Sequence, residues 1–389
     1  MKKKIAILGS TGSIGKKTIQ ILEKNKKNFD ILLLTTNKNI STLNAQVKKF
    51  KVKNVIVTSK IHYLKYKSTA KTNKVNIFNN YKSFKRIFKS KLDYVMSSVS
   101  GLEGLEPTIK IIKHTKKIAI ANKESIVCAW NLIELELKKN KTLFIPVDSE
   151  HFSIWSLLKN ENLNSVEKIF ITASGGPFLN LSYSKMKKIN PSIAIKHPKW
   201  KMGKKISIDS ATMMNKVYEI IEAKRIFKSY TNRFDILIHP DSYLHSIVKF
   251  KNGITKLLVH DTDMSIPIYN TIYEKNYQSN LNLNKLNISI LNNLKLSKPN
   301  KKKFPCLKLL DKIPNKISLF ETALISSSDE LVNLFLKKKI NFQEIYSLLI
   351  KILDSNEIKK LKKKKPTNLQ QISNLNRYVR LKTRHLCIR

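Results

Sequence analysis

Acidic residues that could hold a metal ion occur in two separate segments of the chain. Asp148 and Glu150 follow the apolar run 143–147, within the string Pro-Val-Asp-Ser-Glu-His at 146–151. If the backbone is still extended there, both carboxylates point to the same side and could grip one hard divalent cation, because such ions prefer oxygen ligands. Two carboxylates rarely complete a metal site. We therefore expect a further ligand from elsewhere in the chain.

The candidate for that ligand, Glu219, lies in a segment with clear helical spacing, 213–222. At about 100° per residue, Asn215, Lys216 and Glu219 share one side of the helix, whereas the apolar residues face the opposite side, toward a core. We expect an exposed face that carries an amide, an ammonium and a carboxylate. The alternative is a solvated helix face with a Lys216/Glu219 ion pair.

A glycine-rich segment near the start of the chain could bind a pyrophosphate. The apolar run 5–8 leads into Gly9-Ser-Thr-Gly12-Ser-Ile-Gly15, and a helical pattern begins near Lys16. Glycines at this spacing let the backbone turn tightly and approach a phosphate, whose charge then meets the helix N-terminus. A structural turn is the alternative, but the strand, loop and helix context favours dinucleotide binding.

The end of the second predicted strand bears on which dinucleotide binds. Domains that prefer NAD place an acidic residue there, which accepts the ribose hydroxyls. Here residues 35–39 read Thr-Thr-Asn-Lys-Asn, with no acid and one cation, Lys38. A lysine suits a 2′-phosphate, so the sequence predicts NADP(H), unless Lys38 is simply one more surface lysine.

Other polar residues could contact a substrate. Lys123, in the string Ala-Asn-Lys-Glu-Ser at 121–125, follows a predicted strand and could touch a substrate oxygen, although the same string would serve as a helix cap. The segments 173–177 and 208–212, rich in Ser, could offer hydroxyls and backbone N–H groups to a phosphate.

A short segment between those two has the composition of a lid. Residues 197–203 read His-Pro-Lys-Trp-Lys-Met-Gly. Such a stretch suits a mobile loop that covers a ligand and excludes water, the alternative being an ordered loop with a buried Trp200. His239 and His245 lack the spacing of a helical zinc site, so we expect them to pack.

The elements that must position these residues follow a doubly wound α/β rhythm over the first 150 residues. The runs that read as buried strands are 5–8, 31–34, 55–57, 94–96, 118–121 and 143–147. Further strands at 168–172, 234–238, 245–250 and 254–259 predict a central α+β domain. Helical stretches at 328–339 and 342–353, ending in a basic tail from Lys359, predict a small C-terminal helical domain.

We therefore expect an α/β protein whose N-terminal Rossmann-like domain is followed by an α+β catalytic domain and a helical domain. The predicted boundaries are 1–149 for the NADPH-binding domain, 150–290 for the catalytic and dimerisation domain, 291–310 for a linker, and 311–389 for the helical domain. A chain of 389 residues is long enough for several such cores.

Composition excludes several classes of protein. The 42% hydrophobic content excludes a wholly disordered chain, and no apolar run reaches the roughly eighteen residues of a membrane helix. An apolar strand pattern that begins at Ile5 leaves no room for a secretory signal. The three cysteines, Cys128, Cys306 and Cys387, are too widely spaced for a disulfide framework, which fits a reducing cytoplasm.

The net charge of +47 raises the question of nucleic-acid binding. The 74 basic residues are mostly lysine and are spread over nearly the whole chain. Nucleic-acid recognition favours arginine, whose guanidinium makes bidentate hydrogen bonds to guanine and phosphate. This distribution is typical of a solvated basic surface. We expect no specific nucleic-acid partner and no membrane partner.

The strings GSTGSIG, ANKES, PVDSEH, SGGPF and HPKWKMGKKISIDSATMMNK, in this order and spacing, resemble the 1-deoxy-D-xylulose 5-phosphate reductoisomerase family. The resemblance covers nearly the whole chain, is dense from 1 to 265 and is thin after 310. It implies reductive rearrangement of 1-deoxy-D-xylulose 5-phosphate to 2-C-methyl-D-erythritol 4-phosphate, in the methylerythritol phosphate route to isoprenoids. It also implies a homodimer.

The resemblance carries functional residues onto this chain. It implies that NADPH contacts Thr11, Gly12, Ser13, Ile14, Asn37, Lys38, Asn39, Asn122, Glu124 and Gly203, and that a Mg²⁺ or Mn²⁺ ion is bound by Asp148, Glu150 and Glu219. It implies substrate contacts from Lys123, Ser149, Glu150, Ser174, His197, Trp200, Ser210, Asn215, Lys216 and Glu219. The catalytic residues among these would be Lys123, Asp148, Glu150, His197 and Glu219.

The chain also departs from the usual pattern of the family. Val217 stands where Gly is usual, Asp241 where Gln is usual, and Ser265 where Arg is usual. Asn37 stands where a glycine is expected, and residues 326–330 read Ser-Ser-Ser-Asp-Glu in place of Asn-Ala-Ala-Asn-Glu. Two alternatives stay open: another NADP-dependent dehydrogenase of a phosphorylated hydroxy compound, and a basic nucleic-acid-binding protein that retains the fold.

Overall fold

The structure is a computed structural model that describes residues 2–69, 75–182, 184–200, 202–228, 233–274 and 287–387. The chain divides into two compact units. Unit 1 comprises Met1–Ser125, Ile133–Phe152 and Met264–Asn284, and unit 2 comprises Ile126–Leu132, Ser153–Asp263 and Lys285–Arg389. The predicted domain boundaries differ from this division and stay a prediction.

Unit 1 is built on a seven-stranded sheet whose paired strands all run parallel. Its strands are β1 (Lys3–Leu8), β2 (Phe29–Thr36), β3 (Asn54–Val57), β4 (Asn76–Phe78), β5 (Tyr94–Ser97), β6 (Lys117–Ile120) and β7 (Leu143–Pro146). The six predicted strands are confirmed, whereas β4 was missed because only three residues form it.

The order of the strands, β4-β3-β2-β1-β5-β6-β7, places a topological switch point between β1 and β5. Crossovers lead away from β1 in opposite directions on its two sides, so a crevice opens at the carboxyl end of this strand. The last residues of β1, Ile5 to Leu8, are completely buried, which is why the strand reads as a continuous apolar run.

Helices connect these strands and cover both faces of a sheet of this kind. They are α1 (Ser13–Lys24), α2 (Ile40–Phe50), α3 (Lys60–Thr69), α4 (Phe84–Ile87), α5 (Leu105–Ile112), α6 (Lys123–Lys139) and α7 (Ser149–Leu157). The apolar side of α1 packs into the main core of unit 1 through Ile19, Ile21 and Leu22.

A later segment of the chain returns to unit 1. Helix α11 (Ser265–Tyr273) contributes Ile268, Tyr269 and Ile272 to the same core. The Tyr94 hydroxyl hydrogen-bonds the Thr271 hydroxyl at 2.7 Å. This packing differs from the prediction that residues up to 290 belong with the catalytic domain, because a short apolar helix does not reveal in sequence which core it joins.

Unit 2 contains a mixed four-stranded sheet in the order β11-β10-β8-β9. The strands are β8 (Val166–Ala173), β9 (Phe234–Ile238), β10 (Leu244–Phe250) and β11 (Thr255–Val259). β8 pairs parallel with β9 and antiparallel with β10, and β10 pairs antiparallel with β11. All four strands were predicted to within two residues at either end.

The helices of unit 2 are α8 (Pro191–Ala194), α9 (Lys204–Ala211), α10 (Met214–Ile226), α12 (Leu319–Leu336), α13 (Glu344–Leu353), α14 (Asn356–Lys360) and α15 (Leu369–Cys387). α12 begins at Leu319, nine residues before the predicted stretch 328–339, and its N-cap Ser318 forms a capping box with Glu321.

Two features of the C-terminal part were not visible in the sequence pattern. The predicted basic tail contains the 19-residue helix α15, whose Ile372, Val379 and Thr383 are buried. Within the predicted linker at 291–310, residues 292–298 are exposed although Ser297 forms a bridge with Ile238, whereas Cys306, Leu307 and Leu309 are buried. The linker boundaries stay a prediction. Polar and basic residues obscured both features. Among the described residues, no helix is long and apolar enough to cross a membrane.

Candidate active site

The glycine-rich loop follows β1 and leads into α1 at the switch point of the unit 1 sheet. Gly9 has a φ of +79°, and a Cβ there would lie 2.8 Å from the Ser98 carbonyl oxygen. A Cβ on Gly15 would lie 2.3 Å from the Gly9 carbonyl oxygen. Side chains are therefore excluded where the loop turns and where the helix meets the strand. Gly12, at the N-cap, leaves the start of α1 open to a phosphate.

The end of β2 lies beside this loop. The Thr11 and Thr36 hydroxyls are 2.7 Å apart, and the Gly9 N–H donates to the Thr35 hydroxyl at 2.8 Å. Lys38 follows and is exposed, as a residue that reads a 2′-phosphate would be. Asn37 is not among the described residues with positive φ, so the left-handed conformation that asparagine tolerates is not used here.

The segment after β6 forms the N-terminus of α6. The Asn122 side-chain oxygen accepts from the Ser125 N–H at 2.6 Å, and its amide donates to the Gly101 carbonyl at 2.7 Å. Asn122 is thus a true N-cap, as the alternative interpretation of this string had it. The next residue, Lys123, is only 7% exposed and is aimed by this cap.

Lys123 reaches the acidic segment after β7. Its ammonium lies 3.1 Å from Asp148 Oδ2, and Asp148 Oδ1 lies 2.9 Å from His151 Nδ1. The imidazole of His151 is completely buried. Asp148 is therefore held by a cation on one side and by a ring nitrogen on the other, which is how the carboxylates of metal sites are commonly oriented.

The expected extended conformation at this point is wrong. β7 ends at Pro146, and α7 begins at Ser149, so Glu150 lies in the first turn of a helix. The Phe152 N–H donates to the Asp148 carbonyl at 2.8 Å, which is the first hydrogen bond of the helix and places Asp148 at its N-cap. The Ser149 hydroxyl donates to Glu150 at 2.6 Å. An acidic N-cap is a helix start signal that the alternating pattern obscured.

In unit 2, Ser174 and His197 form a hydrogen-bonded pair. His197 Nδ1 accepts from the backbone N–H groups of Lys199 at 3.2 Å and Trp200 at 2.9 Å. Its proton is therefore on Nε2, which donates to the Ser174 hydroxyl oxygen at 3.0 Å. The Gly176 N–H also donates to this oxygen, at 3.0 Å. The Ser174 hydroxyl oxygen thus accepts two hydrogen bonds, and its proton can be donated to another acceptor such as a phosphate oxygen.

The protonation state of His197 supports this arrangement. Burial, and then the positive charge of Lys216, lower the pKa of His197 to about 4. The imidazole is consequently neutral near pH 7 and keeps a lone pair on Nδ1 for the two backbone donors. Lys216, from the following helix, thus acts on the same part of unit 2 as Ser174 and His197.

The polar side of α10 is buried, contrary to the expected exposed face. Lys216 is 6% exposed and Glu219 is 1% exposed. The ammonium of Lys216 pairs with the Glu219 carboxylate, which also accepts from the Asn215 amide. The predicted ion pair is present, but it is not solvated. Helical spacing identifies which side chains share a side and does not tell whether that side is covered.

The remaining predicted residues of unit 2 lie near the start and end of α9. Gly203 is the N-cap of this helix, and Ser210 lies in its last turn, where a Cβ on Gly176 would come within 2.9 Å of the Ser210 carbonyl oxygen. The Trp200 ring stands edge-on to the His245 ring, with centroids 6.1 Å apart. His239 and His245 are buried and packed, as expected.

Each unit thus gathers its own set of predicted residues. Unit 1 brings together Lys123, Asp148, Ser149 and Glu150, and unit 2 brings together Ser174, His197, Asn215, Lys216 and Glu219. His151 was missed as a candidate although it stands in the string at 146–151, since its i, i+3 relation to Asp148 becomes meaningful only in a helix.

A parallel sheet with a glycine-rich loop at its switch point, in a chain with a second α+β unit, defines a dinucleotide-binding oxidoreductase. Family models match three stretches: "1-deoxy-D-xylulose 5-phosphate reductoisomerase" at residues 5–130, its C-terminal domain at 144–227, and "DXP reductoisomerase C-terminal domain" at 260–382. The chain belongs to the 1-deoxy-D-xylulose 5-phosphate reductoisomerase family.

Relatives with that name support the assignment along the whole chain. One from Pelagibacter ubique (strain HTCC1062) is 56% identical over 382 residues, which cover 98% of this chain and 98% of the relative. One from Clostridium perfringens (strain 13 / Type A) is 35% identical over 381 residues, with 97% and 98% covered.

Solved structures agree with the fold. The enzyme from Zymomonas mobilis in complex with NADPH superposes with a TM-score of 0.88 at 30% identity, with 100% of this chain and 99% of that chain covered. A DOX-P reductoisomerase in complex with NADPH, fosmidomycin and magnesium gives a TM-score of 0.91 at 29% identity, with 99% and 98% covered.

Proposed function

We propose that this chain rearranges and reduces 1-deoxy-D-xylulose 5-phosphate to 2-C-methyl-D-erythritol 4-phosphate, with NADPH and a divalent cation, in the cytoplasm. The observation that carries the proposal is the buried polar cluster on α10, where Glu219 is 1% exposed beside Lys216 and Asn215. Burying a carboxylate and an ammonium is costly, so such a cluster is maintained for binding or chemistry.

NADPH fits the residues of unit 1. The open N-terminus of α1 after Gly12 would hold the pyrophosphate, and exposed Lys38 would pair with the 2′-phosphate. Thr11, Ser13, Ile14, Asn37, Asn39, Asn122, Glu124 and Gly203 complete the proposed contacts. Bound NADPH supplies the hydride for the reduction. The NADPH complex of the Zymomonas mobilis relative supports this choice of cofactor.

Asp148, Glu150 and Glu219 would bind one Mg²⁺ or Mn²⁺ ion. The donor set fits, because hard cations take carboxylate oxygens and Asp148 is oriented by Lys123 and His151 as a metal ligand would be. The ion supplies Lewis-acid polarisation of a substrate carbonyl. The magnesium in a related structure supports this assignment.

The substrate phosphate would lie on Ser174, Ser210 and Asn215. Neutral His197 donates to Ser174, so the Ser174 hydroxyl proton is offered to a phosphate oxygen, and no charge in this relay changes near neutral pH. Lys123 and Lys216 would hold polar groups of the substrate. Both ammonium groups are almost buried, which strengthens their interaction with an anionic or polarised oxygen.

The rearrangement would then give a branched aldehyde, which is reduced while the lid 197–203 is closed. Trp200, already in contact with a ring of the protein, would cover the ligand and exclude water from the aldehyde. We also propose a homodimer. Strand β11 lies at an edge of its sheet, and Ile254 and Leu257 are 53% and 45% exposed there, which suits a second copy.

The direct test mixes the purified chain with NADPH, Mn²⁺ and 1-deoxy-D-xylulose 5-phosphate. Loss of NADPH absorbance should accompany formation of the branched product, and removal of Mn²⁺ with a chelator should stop both. Fosmidomycin, which a related structure binds, should inhibit the reaction. Well-folded protein that gives no turnover would overturn the proposal. Light scattering in solution tests the dimer separately.

A further inference from the structure

A network of charges connects the C-terminal helix to the substrate helices of unit 2. Arg380 of α15 pairs with Asp329 of α12 at 2.8 Å and with Glu330 at 3.4 Å. Arg384, one turn later, pairs with Glu330 at 2.5 Å. The side chains of the two acids are 10% and 3% exposed. Carboxylates this deeply buried need counter-charges, and α15 supplies them.

The other side of Asp329 faces α9. Lys205, in the first turn of α9, lies 3.1 Å from Asp329 Oδ1 and 2.7 Å from Asp209 Oδ2. Its ammonium also lies 4.9 Å from the centre of the Tyr218 ring on α10. One cation thus bridges α12, α9 and α10. Asp209, which it anchors, is 2% exposed.

This bridge ends next to the proposed substrate residues. Ser210 directly follows Asp209 in the last turn of α9, and Glu219 directly follows Tyr218 on α10. A displacement of either turn would move a proposed ligand of the substrate. Because Lys205 ties α9 to Asp329 of α12 while also pairing with Asp209 one turn later, this contact helps to set where α9 and its Ser210 lie.

The residues that depart from the family at 326–329 are matched by partners on α15. The Ser326 hydroxyl contacts Asn376 Oδ1 at 2.8 Å, and Arg380 Nε donates to the same oxygen at 3.0 Å. Asp329 carries a charge that an asparagine lacks, and Arg380 balances it. These departures therefore belong to one connected arrangement.

We propose that Asp329, held by Arg380, is a positioning residue for the substrate phosphate: it fixes Lys205 against Asp209 and so places Ser210. The inference rests on the proposed function. Asp329 would thus affect substrate affinity without itself contacting the substrate or the cofactor.

The test compares steady-state kinetics of four variants with the unsubstituted chain. Asp329→Asn and Arg380→Met should each raise the KM for 1-deoxy-D-xylulose 5-phosphate about tenfold, with kcat changed less than about twofold. Arg380→Lys, which keeps the charge but loses the planar fork, should raise it about two- to threefold. The variant that combines Asp329→Asn with Arg380→Met should have about the same KM as either single variant, since both changes break one network.

Lys382→Met is the matched control. It removes a cation from the same helix, but Lys382 pairs with Glu357 on α14 and not with α12, so the KM should be unchanged. A merely structural role would reduce the active fraction and therefore kcat, leaving the KM as it was. That result, or a wild-type KM in Arg380→Lys when the other variants do not fold, would overturn the inference. Absence of turnover in the unsubstituted chain would overturn the proposed function instead, and the inference with it.

Discussion

The two units place their proposed catalytic groups by different means. In unit 1, Lys123 and Asp148 follow the carboxyl ends of neighbouring parallel strands, β6 and β7, and a helix begins directly after each strand. In unit 2, Lys216 and Glu219 lie in the first two turns of α10, most of whose residues are buried. Residues that follow the strand ends lie at the edge of the sheet, where a ligand can reach them. The polar side of α10 is buried only because other elements of unit 2 cover it.

The two units therefore differ in how deeply their proposed catalytic carboxylates are buried. The side chain of Asp148 in unit 1 remains 14% exposed, whereas Glu219 in unit 2 is 1% exposed. We expect substitutions of these carboxylates in either unit to reduce turnover, but to change the free energy of unfolding by different amounts. The predictions below use that contrast, beginning with the largest effect.

Replacing Glu219 by Gln should give the largest loss. The change preserves size but removes one charge from the proposed metal site, so kcat should fall at least about a hundredfold and the Mn²⁺ concentration needed should rise. NADPH affinity should be nearly unchanged. Asp148→Asn should have a similar effect from the other unit. Kinetics as a function of Mn²⁺ measures both.

A matched control for Glu219 is Glu167→Gln on β8. Glu167 is exposed and pairs with Lys249 on the surface, so turnover and metal dependence should be those of the unsubstituted chain. If Glu219→Gln behaved like this control, Glu219 would be an ordinary buried residue of α10.

His197 should not titrate in the physiological range. Its pKa of about 4 lies below the value near 6.5 in an unfolded chain, so the unfolded chain binds more protons between these pH values. The contribution of this group to stability is therefore complete above about pH 6.5 and is lost as the pH falls toward about 4.

The kinetic consequence can be isolated with His197→Gln, whose amide can both donate and accept but does not titrate. We expect its KM for substrate to rise about tenfold through poorer geometry. The ratio of the variant's KM to that of the unsubstituted chain cancels titration of the substrate phosphate, and it should stay constant from pH 8 to about 5.5. A change centred near pH 6.5 would contradict a neutral His197.

Lys38→Glu should weaken NADPH binding selectively. A carboxylate would repel the 2′-phosphate and could accept from a ribose hydroxyl, so the KM for NADPH should rise about tenfold while that for NADH stays equal or falls. Lys53→Glu, at another exposed lysine of unit 1, controls for general loss of positive charge. Equal loss for both cofactors would show that Lys38 does not read the 2′-phosphate.

The smallest effect is expected at the surface of the lid. Lys199 and Asp241 form an ion pair at 3.0 Å, with both side chains 42% exposed. Asp241 is one of the departures from the family, and this contact gives it a partner. Exposed pairs contribute about 0.2 to 1 kcal/mol, so Asp241→Asn should change the KM less than about fivefold, and added salt should reduce the difference. Kinetics at low and high salt would decide, and a salt-independent change would contradict an electrostatic role.

Much of the fold could be predicted from the sequence because strands buried on both faces leave continuous apolar runs. β1 and β5 show this clearly, because residues 5–8 and 94–97 are buried throughout. β4 was missed because three residues give no pattern, and α15 was missed because its polar and basic residues outnumber the few residues it buries.

The site could be predicted in composition more than in conformation. The residue types at 146–151 and on α10 indicated oxygen ligands, but the helix start at Ser149 and the burial of Lys216 did not follow from local spacing. The helix start has a local signal in the acidic N-cap, Asp148, which the alternating pattern obscured, whereas the burial of Lys216 depends on elements distant in sequence. The membership of α11 in unit 1 has the same cause, since an amphipathic helix does not specify its partner.

The central proposal is that Asp148, Glu150 and Glu219 bind one divalent cation, and Mn²⁺ titration followed by electron paramagnetic resonance tests it most directly. The unsubstituted chain should bind one Mn²⁺ tightly, and Asp148→Asn and Glu219→Gln should each weaken that site at least about tenfold. The double variant should weaken this same site further, with no more than one Mn²⁺ bound per chain. Unchanged Mn²⁺ affinity in either single variant, or a second Mn²⁺ site that one of the variants leaves intact, would contradict a shared ion.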